Sequence, residues 1–267
     1  MIGWKNKNMR AGLIITGLML LVILIGLVWT PYEPNAMNGA EKMASPSFRH
    51  LFGTDNFGRD IFSRVVEGAG ATFLIAAASV AIGLAVGAPV GCLTGWYGGW
   101  VDEILMRLND SITAFPSILL ALVLIAVLGG GKYNIILILG IIFVPTFARI
   151  TRMEVAKQKS LDYVQSARLM CVGDMRILFV HILPNTLPVL LSTIAISFNN
   201  AVLAEASMSY LGIGVQPPDP SLGRMLNEAQ SFLLSAPWYA LSAGLAIILL
   251  VLGFGLLSDA LGGDGNG

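Results

Sequence analysis

Six long stretches of this chain carry no charge at all. The uncharged runs cover residues 11–32, 68–101, 111–131, 133–148, 182–204 and 229–258. About 20 apolar residues cross a ~30 Å hydrocarbon core as a helix. Five of the runs are long enough. The fourth, 133–148, reaches that length if its helix starts near Lys132 and ends near Arg152, with both charges snorkelling. The expectation is an all-α membrane protein with six transmembrane helices, at 11–30, 71–95, 104–129, 133–152, 185–206 and 236–258. Only 12% of the 267 residues are charged, about half the fraction of a soluble domain.

The first run is too long for the apolar region of a signal peptide, and no small-residue cleavage site follows Trp29. It reads as an anchor. Formal net charge is zero, which gives no support to nucleic-acid binding. Cys92 and Cys171 fall in a span and in a basic loop, so neither a disulfide nor a metal-ligand spacing is expected.

Lys and Arg set the orientation. With six spans both termini share a side. That side holds Lys5, Lys7, Arg10, Arg107, Arg149, Arg152, Lys157, Lys159, Arg168 and Arg176. The other side holds Lys42, Arg49, Arg59, Arg64, Lys132 and Arg224, spread over longer loops. The termini are expected in the cytoplasm. Asp259 and Asp264 argue weakly the other way, and acidic residues count little in this rule.

Residues 1–70 read as an anchor helix followed by an external segment, and residues 71–267 as the transmembrane domain. Within the external segment, Asp60 to Glu67 has the pattern of a short amphipathic helix lying at the interface. The second span places Ser79, Gly83, Gly87, Gly91 and Gly95 at every fourth position. Small residues in that register let helix backbones approach closely in lipid, and packing inside the subunit is the favoured use. Before the third span, Arg107 and Asp110 stand one turn apart and can pair. Pro116 then kinks or starts the membrane portion. Glu205, at the outer end of the fifth span, reads equally as an interface residue or as part of an external mouth.

The fourth and fifth spans are joined by about thirty residues, Thr151 to His181, where a simple turn needs only a few. Asp162 can cap a helix from Tyr163 to about Met170. Gly173 breaks it, and Asp174 caps a second helix from Met175 to Ile182, ending before Leu183-Pro184. The first helix would be an exposed knob at the cytoplasmic face, suited to being gripped by a soluble partner.

This segment resembles the EAA loop of ATP-binding-cassette import permeases. That pattern is E-A-A, three residues, G, nine residues, I, any residue, L-P. It falls here on Gln165, Ser166, Ala167, Cys171, His181, Leu183 and Pro184. Gln, Ser, Cys and His depart from it; Ala167, Leu183, Pro184 and the full spacing fit. GTDNFGRDIFSR (53–64), AFPSILLAL (114–122), HILPN (181–185) and SYLGIGVQPPDPSLGRML (209–226) resemble the peptide/nickel permease family, in its dipeptide "C" subunit.

The resemblance implies a heterodimer with a second permease in the bacterial cytoplasmic membrane. It implies two cytoplasmic ATP-binding subunits that receive the helix near 160–172 as a coupling helix, with Asp162, Tyr163, Arg168 and Gly173 in or beside it. It also implies an extracytoplasmic binding protein. The chain shows no G-x-x-x-x-G-K-[ST] phosphate loop. ATP and Mg are therefore expected on the partners, with no cofactor on this chain and no catalysis by it. Di- or oligopeptides are the expected substrate, with nickel or a metal chelate as the alternative.

Two other classes compete. A stand-alone secondary transporter would need coupling carboxylates at mid-span or an inverted repeat, and neither is visible. An intramembrane enzyme would need paired catalytic groups at span depth, whereas His50 and His181 lie outside the spans.

Overall fold

A computed structural model describes residues 7–262. Lys5 and Asp264, used above for orientation, lie outside them. Ten helices follow in order: α1 (Lys7–Val28), α2 (Ile61–Tyr97), α3 (Gly99–Thr113), α4 (Ser117–Leu128), α5 (Lys132–Lys159), α6 (Asp162–Leu169), α7 (Asp174–Arg176), α8 (Leu183–Tyr210), α9 (Leu222–Ala229) and α10 (Pro237–Gly262). Among the described residues there is no strand, only an isolated bridge between Thr54 and Asp60. Among the described residues five helices are long and apolar enough to cross a membrane, or six spans result if the bent pair α3–α4 counts as one. The start of α1 and the end of α10 share one end of the bundle, the terminal face; the other end is the distal face.

The expected interfacial helix over Asp60–Glu67 is instead the start of α2. Asp60 caps that helix, accepting from Ser63 N and from Ser63 Oγ, each at 2.8 Å. The second span is therefore 37 residues long, not 25 or so. At 1.5 Å per residue it runs about 55 Å, longer than a ~30 Å hydrocarbon core is thick. Arg64 is 1% exposed. Its guanidinium meets Glu228 of α9 at 3.4 Å. Glu228 also takes Arg59 at 2.9 Å, Arg224 at 3.1 Å and the Tyr239 hydroxyl at 2.9 Å. Arg59 in turn holds Asp55 at 2.6 Å, and His50 Nδ1 meets Asp60 at 2.8 Å. Charges can be buried here because each has opposite partners. Burial pushes the Glu228 carboxyl up, but Arg64 and Arg59, helped by Tyr239 and Arg224, hold it below the usual range.

α2 and α5 run parallel and in close contact. A Cβ at Gly87 would lie 2.5 Å from Val144 O, and one at Gly91 2.4 Å from Ala148 O. Gly83 faces Phe143 and Gly95 faces Arg152 and Val155 in the same register. Any side chain at these positions would push the two backbones apart, and in lipid such contacts are a main source of helix association.

The third span, expected over 104–129 with Pro116 kinking it or starting its membrane portion, is a broken pair. α3 and α4 meet at 86° across Ala114–Pro116. Pro116 supplies no N–H, and its ring would strike the carbonyl one turn back. α3 is joined to α2 through Gly98 (φ 65°) and Gly99 (φ 51°), a conformation only glycine adopts cheaply. Arg107 does not pair with Asp110. It takes Glu103 at 3.0 Å, while Asp110 takes Arg149 of α5 at 2.7 Å. Packing α3 on α5 places Arg149 nearer than the residue one turn away.

The helix expected to end before Leu183-Pro184 does not end. α7, a π-turn (Ile177–Ile182) and α8 form one 37-residue rod, Asp174–Tyr210. Pro184 has no N–H to donate back, and the wider turn before it accommodates the missing bond.

Glu205, near the distal end of α8, is fully buried. It accepts from Thr72 Oγ1 at 2.8 Å and from Ser209 Oγ at 2.7 Å, while Thr72 Oγ1 accepts from Leu222 N at 3.3 Å. It joins α2, α8 and the start of α9, and opens to no surface.

Candidate functional site

Two features stand out: the α6 knob at the terminal face, and a cavity beside the α3–α4 bend.

α6 starts one residue earlier than expected. Leu161, not Asp162, occupies the cap position, and no side chain caps the helix. Asp162 sits in the first turn, where a carboxylate favours the positive end of the helix dipole. Gln165 Nε2 donates to Lys159 O at 3.1 Å, and Tyr163 Oη donates to Gln158 Oε1 at 2.5 Å, both reaching back to the end of α5. Val164 and Ala167 are buried. They join Cys92, Trp96, Val155, Ile177, Leu178 and Ile182 in a small core separate from that of the bundle. The outer side carries Ser166, Leu169 (85% exposed) and Met170 (71% exposed).

The chain leaves α6 differently from the sequence expectation. The left-handed residue is the exposed Cys171, at φ 57°, and Gly173 keeps an ordinary φ of −63°. Val172 N donates to Ala167 O at 3.1 Å, closing the turn. Asp174 opens α7 without capping it. At the loop exit Ile182 is fully buried, whereas His181 is half-buried and its carbonyl accepts from Asn185 Nδ2 at 2.8 Å. Leu183 and Pro184 open α8.

Sequence reasoning missed Trp96, at the end of α2. Its ring is 3% exposed. The Arg168 guanidinium lies 4.5 Å from the ring centre, and Lys159 Nζ at 5.7 Å also donates to the Trp96 carbonyl. Nothing in the spacing marked Trp96, because its partners are 63 and 72 residues away (159 − 96 and 168 − 96).

The cavity holds about 640 Å³ and lies between the α3–α4 bend, α5 and α8. Thr113, Ser117, Thr146, Asn200 and Ser207 bring polar groups to a wall that is otherwise apolar. Among the described residues, none that lines it is charged. That volume falls within the usual range of small-molecule sites. Arg149, which donates to Thr113 Oγ1 and to Asp110 at 2.7 Å each, stands at its terminal-face edge.

A bundle of membrane-length helices, with an open cavity on its side and a short helix held out at one face, is the architecture of a multi-pass transport permease. Residues 87–263 match the family described as binding-protein-dependent transport system inner membrane component, and the chain belongs to it. It is similar to a dipeptide transport system permease protein of Alkalihalophilus pseudofirmus, 37% identical, with 96% of this chain and 84% of the relative covered. It is 42% identical to a glutathione transport system permease protein of Salmonella paratyphi A, covering 97% and 87%. A di/tripeptide transport system permease protein of Pseudomonas aeruginosa is 36% identical, covering 96% and 86%. The fold is shared with a chain of the MetNI methionine ABC transporter in inward-facing conformations, at a TM-score of 0.61 and 20% identity, covering 73% of this chain and 93% of that one.

The chain is thus a permease of an ATP-binding-cassette importer, a multi-pass inner-membrane protein and not an enzyme. Membership implies, in general terms, a binding protein, a second permease and ATPase subunits.

Proposed function

We propose that this permease pairs with a second, different permease to carry di- and oligopeptides into the cell. Both termini and α6 face the cytoplasm in this reading. Two ATP-binding subunits grip α6 there, and an extracytoplasmic binding protein delivers substrate to the distal face. ATP and Mg are held by the ATP-binding subunits, and this chain binds no cofactor. Closure of the ATPase pair draws the α6 helices of the two permeases together. The spans tilt, and access to the cavity alternates across the bilayer. The path is lined by helices, because unpaired backbone is costly at membrane depth.

The observation that carries the reading is α6. It is a short helix whose inner side is locked to the ends of α2 and α5 and to the π-turn before α8, and whose outer side presents Leu169 and Met170 to solvent. Exposed apolar side chains on so small a knob fit a partner's groove. The uncharged, hydroxyl- and amide-bearing cavity suits the peptide backbone common to all such substrates while leaving side chains undiscriminated. The names of the dipeptide, di/tripeptide and glutathione relatives support the same substrate class.

The test is purification of the tagged chain from membranes in mild detergent, followed by reconstitution. Two ATPase chains and a second permease should co-purify. Uptake of dialanine or glutathione should need ATP on the side of α6 and binding protein on the other. Transport by the chain alone would overturn the reading.

A further inference from the structure

α6 follows α5 after a two-residue turn and leads through α7 into α8, so backbone links it to both. No such link joins it to α2. The connection to α2 is made by side chains, and they converge on Trp96. Gln165 of α6 donates to the Lys159 carbonyl, Lys159 Nζ donates to the Trp96 carbonyl, and Arg168 of α6 covers the Trp96 ring at 4.5 Å. Beneath the ring lie Val155 of α5, Val164 and Ala167 of α6, and the π-turn residues Ile177, Leu178 and Ile182. At the preceding residue, a Cβ on Gly95 would lie 2.7 Å from Arg152 O, so α2 cannot shift here without carrying α5.

Two routes therefore leave α6. The route to α8 passes through a π-turn and Pro184, which interrupt regular helix bonding. The route to α2 and α5 passes through a buried aromatic ring and a glycine-tight seam.

We propose that Trp96 is the positioning residue that transmits movement of α6 to the α2–α5 pair. Arg168 and Lys159 hold its ring and its carbonyl, and the exposed end of α6 is left free for the ATPase. This rests on the reading of α6 as the ATPase-gripped helix.

The test uses the full complex in liposomes: this chain, its partner permease, both ATPases and the binding protein. Cys171 crosslinking to an engineered cysteine on the ATPase reports docking. Uptake of dialanine and glutathione per ATP hydrolysed reports transmission. Trp96→Leu and Arg168→Gln should keep the crosslink and ATP hydrolysis while uptake per ATP falls roughly tenfold, the scale of one partly desolvated cation–π contact. Trp96→Phe, which keeps an aromatic face, should recover most of the ratio. The double variant Trp96→Leu/Arg168→Gln should be little worse than the weaker single one. An unchanged ratio in both single variants, with the crosslink intact, overturns the proposal. So does a proportional fall of uptake and hydrolysis in which Trp96→Phe does no better than Trp96→Leu, since that marks a packing role only. Absence of the crosslink in the unaltered chain would fail the reading of α6 itself, and the proposal with it.

Discussion

Arg152 grips Asp102 with both arms, its Nε and Nη2 each 2.5 Å from one carboxylate oxygen. The pair pins the start of α3 to α5 at a residue whose own backbone lines the glycine seam. Arg149 and Asp110 repeat the link farther along α3 at 2.7 Å. The bent third span is therefore fastened to α5 at two points, the second of them at the edge of the cavity.

Asp102→Ala should cost about 1 kcal/mol, the upper end for a partly exposed ion pair, because the geometry is bidentate. The reciprocal exchange of Asp102→Arg with Arg152→Asp should restore part of the loss. Thermal unfolding in detergent measures both.

Gly91→Val should destabilise the chain by about 1–3 kcal/mol, since the added side chain meets backbone and not a movable side chain. Gly173→Ala has open space and an ordinary φ, and should unfold at the temperature of the unaltered chain. Unfolding curves of the two variants check the contrast.

Glu228 carries the pH dependence of the distal cluster. Its folded pKa lies below the ordinary 4.5 because Arg64 and Arg59 outweigh burial. The stability it contributes is present in full above the unfolded value and is lost as pH falls through the lower folded one. Melting temperature should therefore drop on acidification below about 4.5. Glu228→Gln should cost about 3 kcal/mol at neutral pH by leaving the buried Arg64 only Asp55 as a carboxylate partner, 3.8 Å away and already held by Arg59, and should flatten that acid slope.

Ala204→Trp should fill much of the cavity and reduce uptake of dialanine to background while the complex still assembles. Asn200→Leu keeps the volume and removes an amide, and should raise the KM for uptake more than it lowers the maximal rate. Reconstituted uptake distinguishes the two.

Ala167→Gly should lower uptake per ATP with insertion intact. It costs about 1 kcal/mol of helix propensity and removes a methyl that, with Val164, seats α6 on its core. Protein level in the membrane, measured beside uptake, checks the pair of outcomes.

The spans were legible because charge is scarce and clustered, and α6 was placed to within a residue by its flanking polar pattern. What the sequence hid depends on partners far along the chain. Asp60 to Glu67 looks amphipathic because Arg64 is polar, but its partner Glu228 is 164 residues away and turns a surface residue into a buried one. Arg107 and Asp110 have ideal local spacing, yet α5 supplies a nearer charge to Asp110. Gly173 was the obvious helix breaker, but the positive φ fell on Cys171, where a tight loop closed by Val172 and Ala167 fixes the backbone. Trp96 had no local signature at all.

α4 has only twelve residues, which makes it about 18 Å long. That is little more than half the thickness of a bilayer's oily interior. Ile118, Leu119, Val123 and Val127 nonetheless turn outward along it. A peg that short leaves a notch in the wall, so a companion subunit seated against it would meet fatty side chains along its shaft and water at its foot.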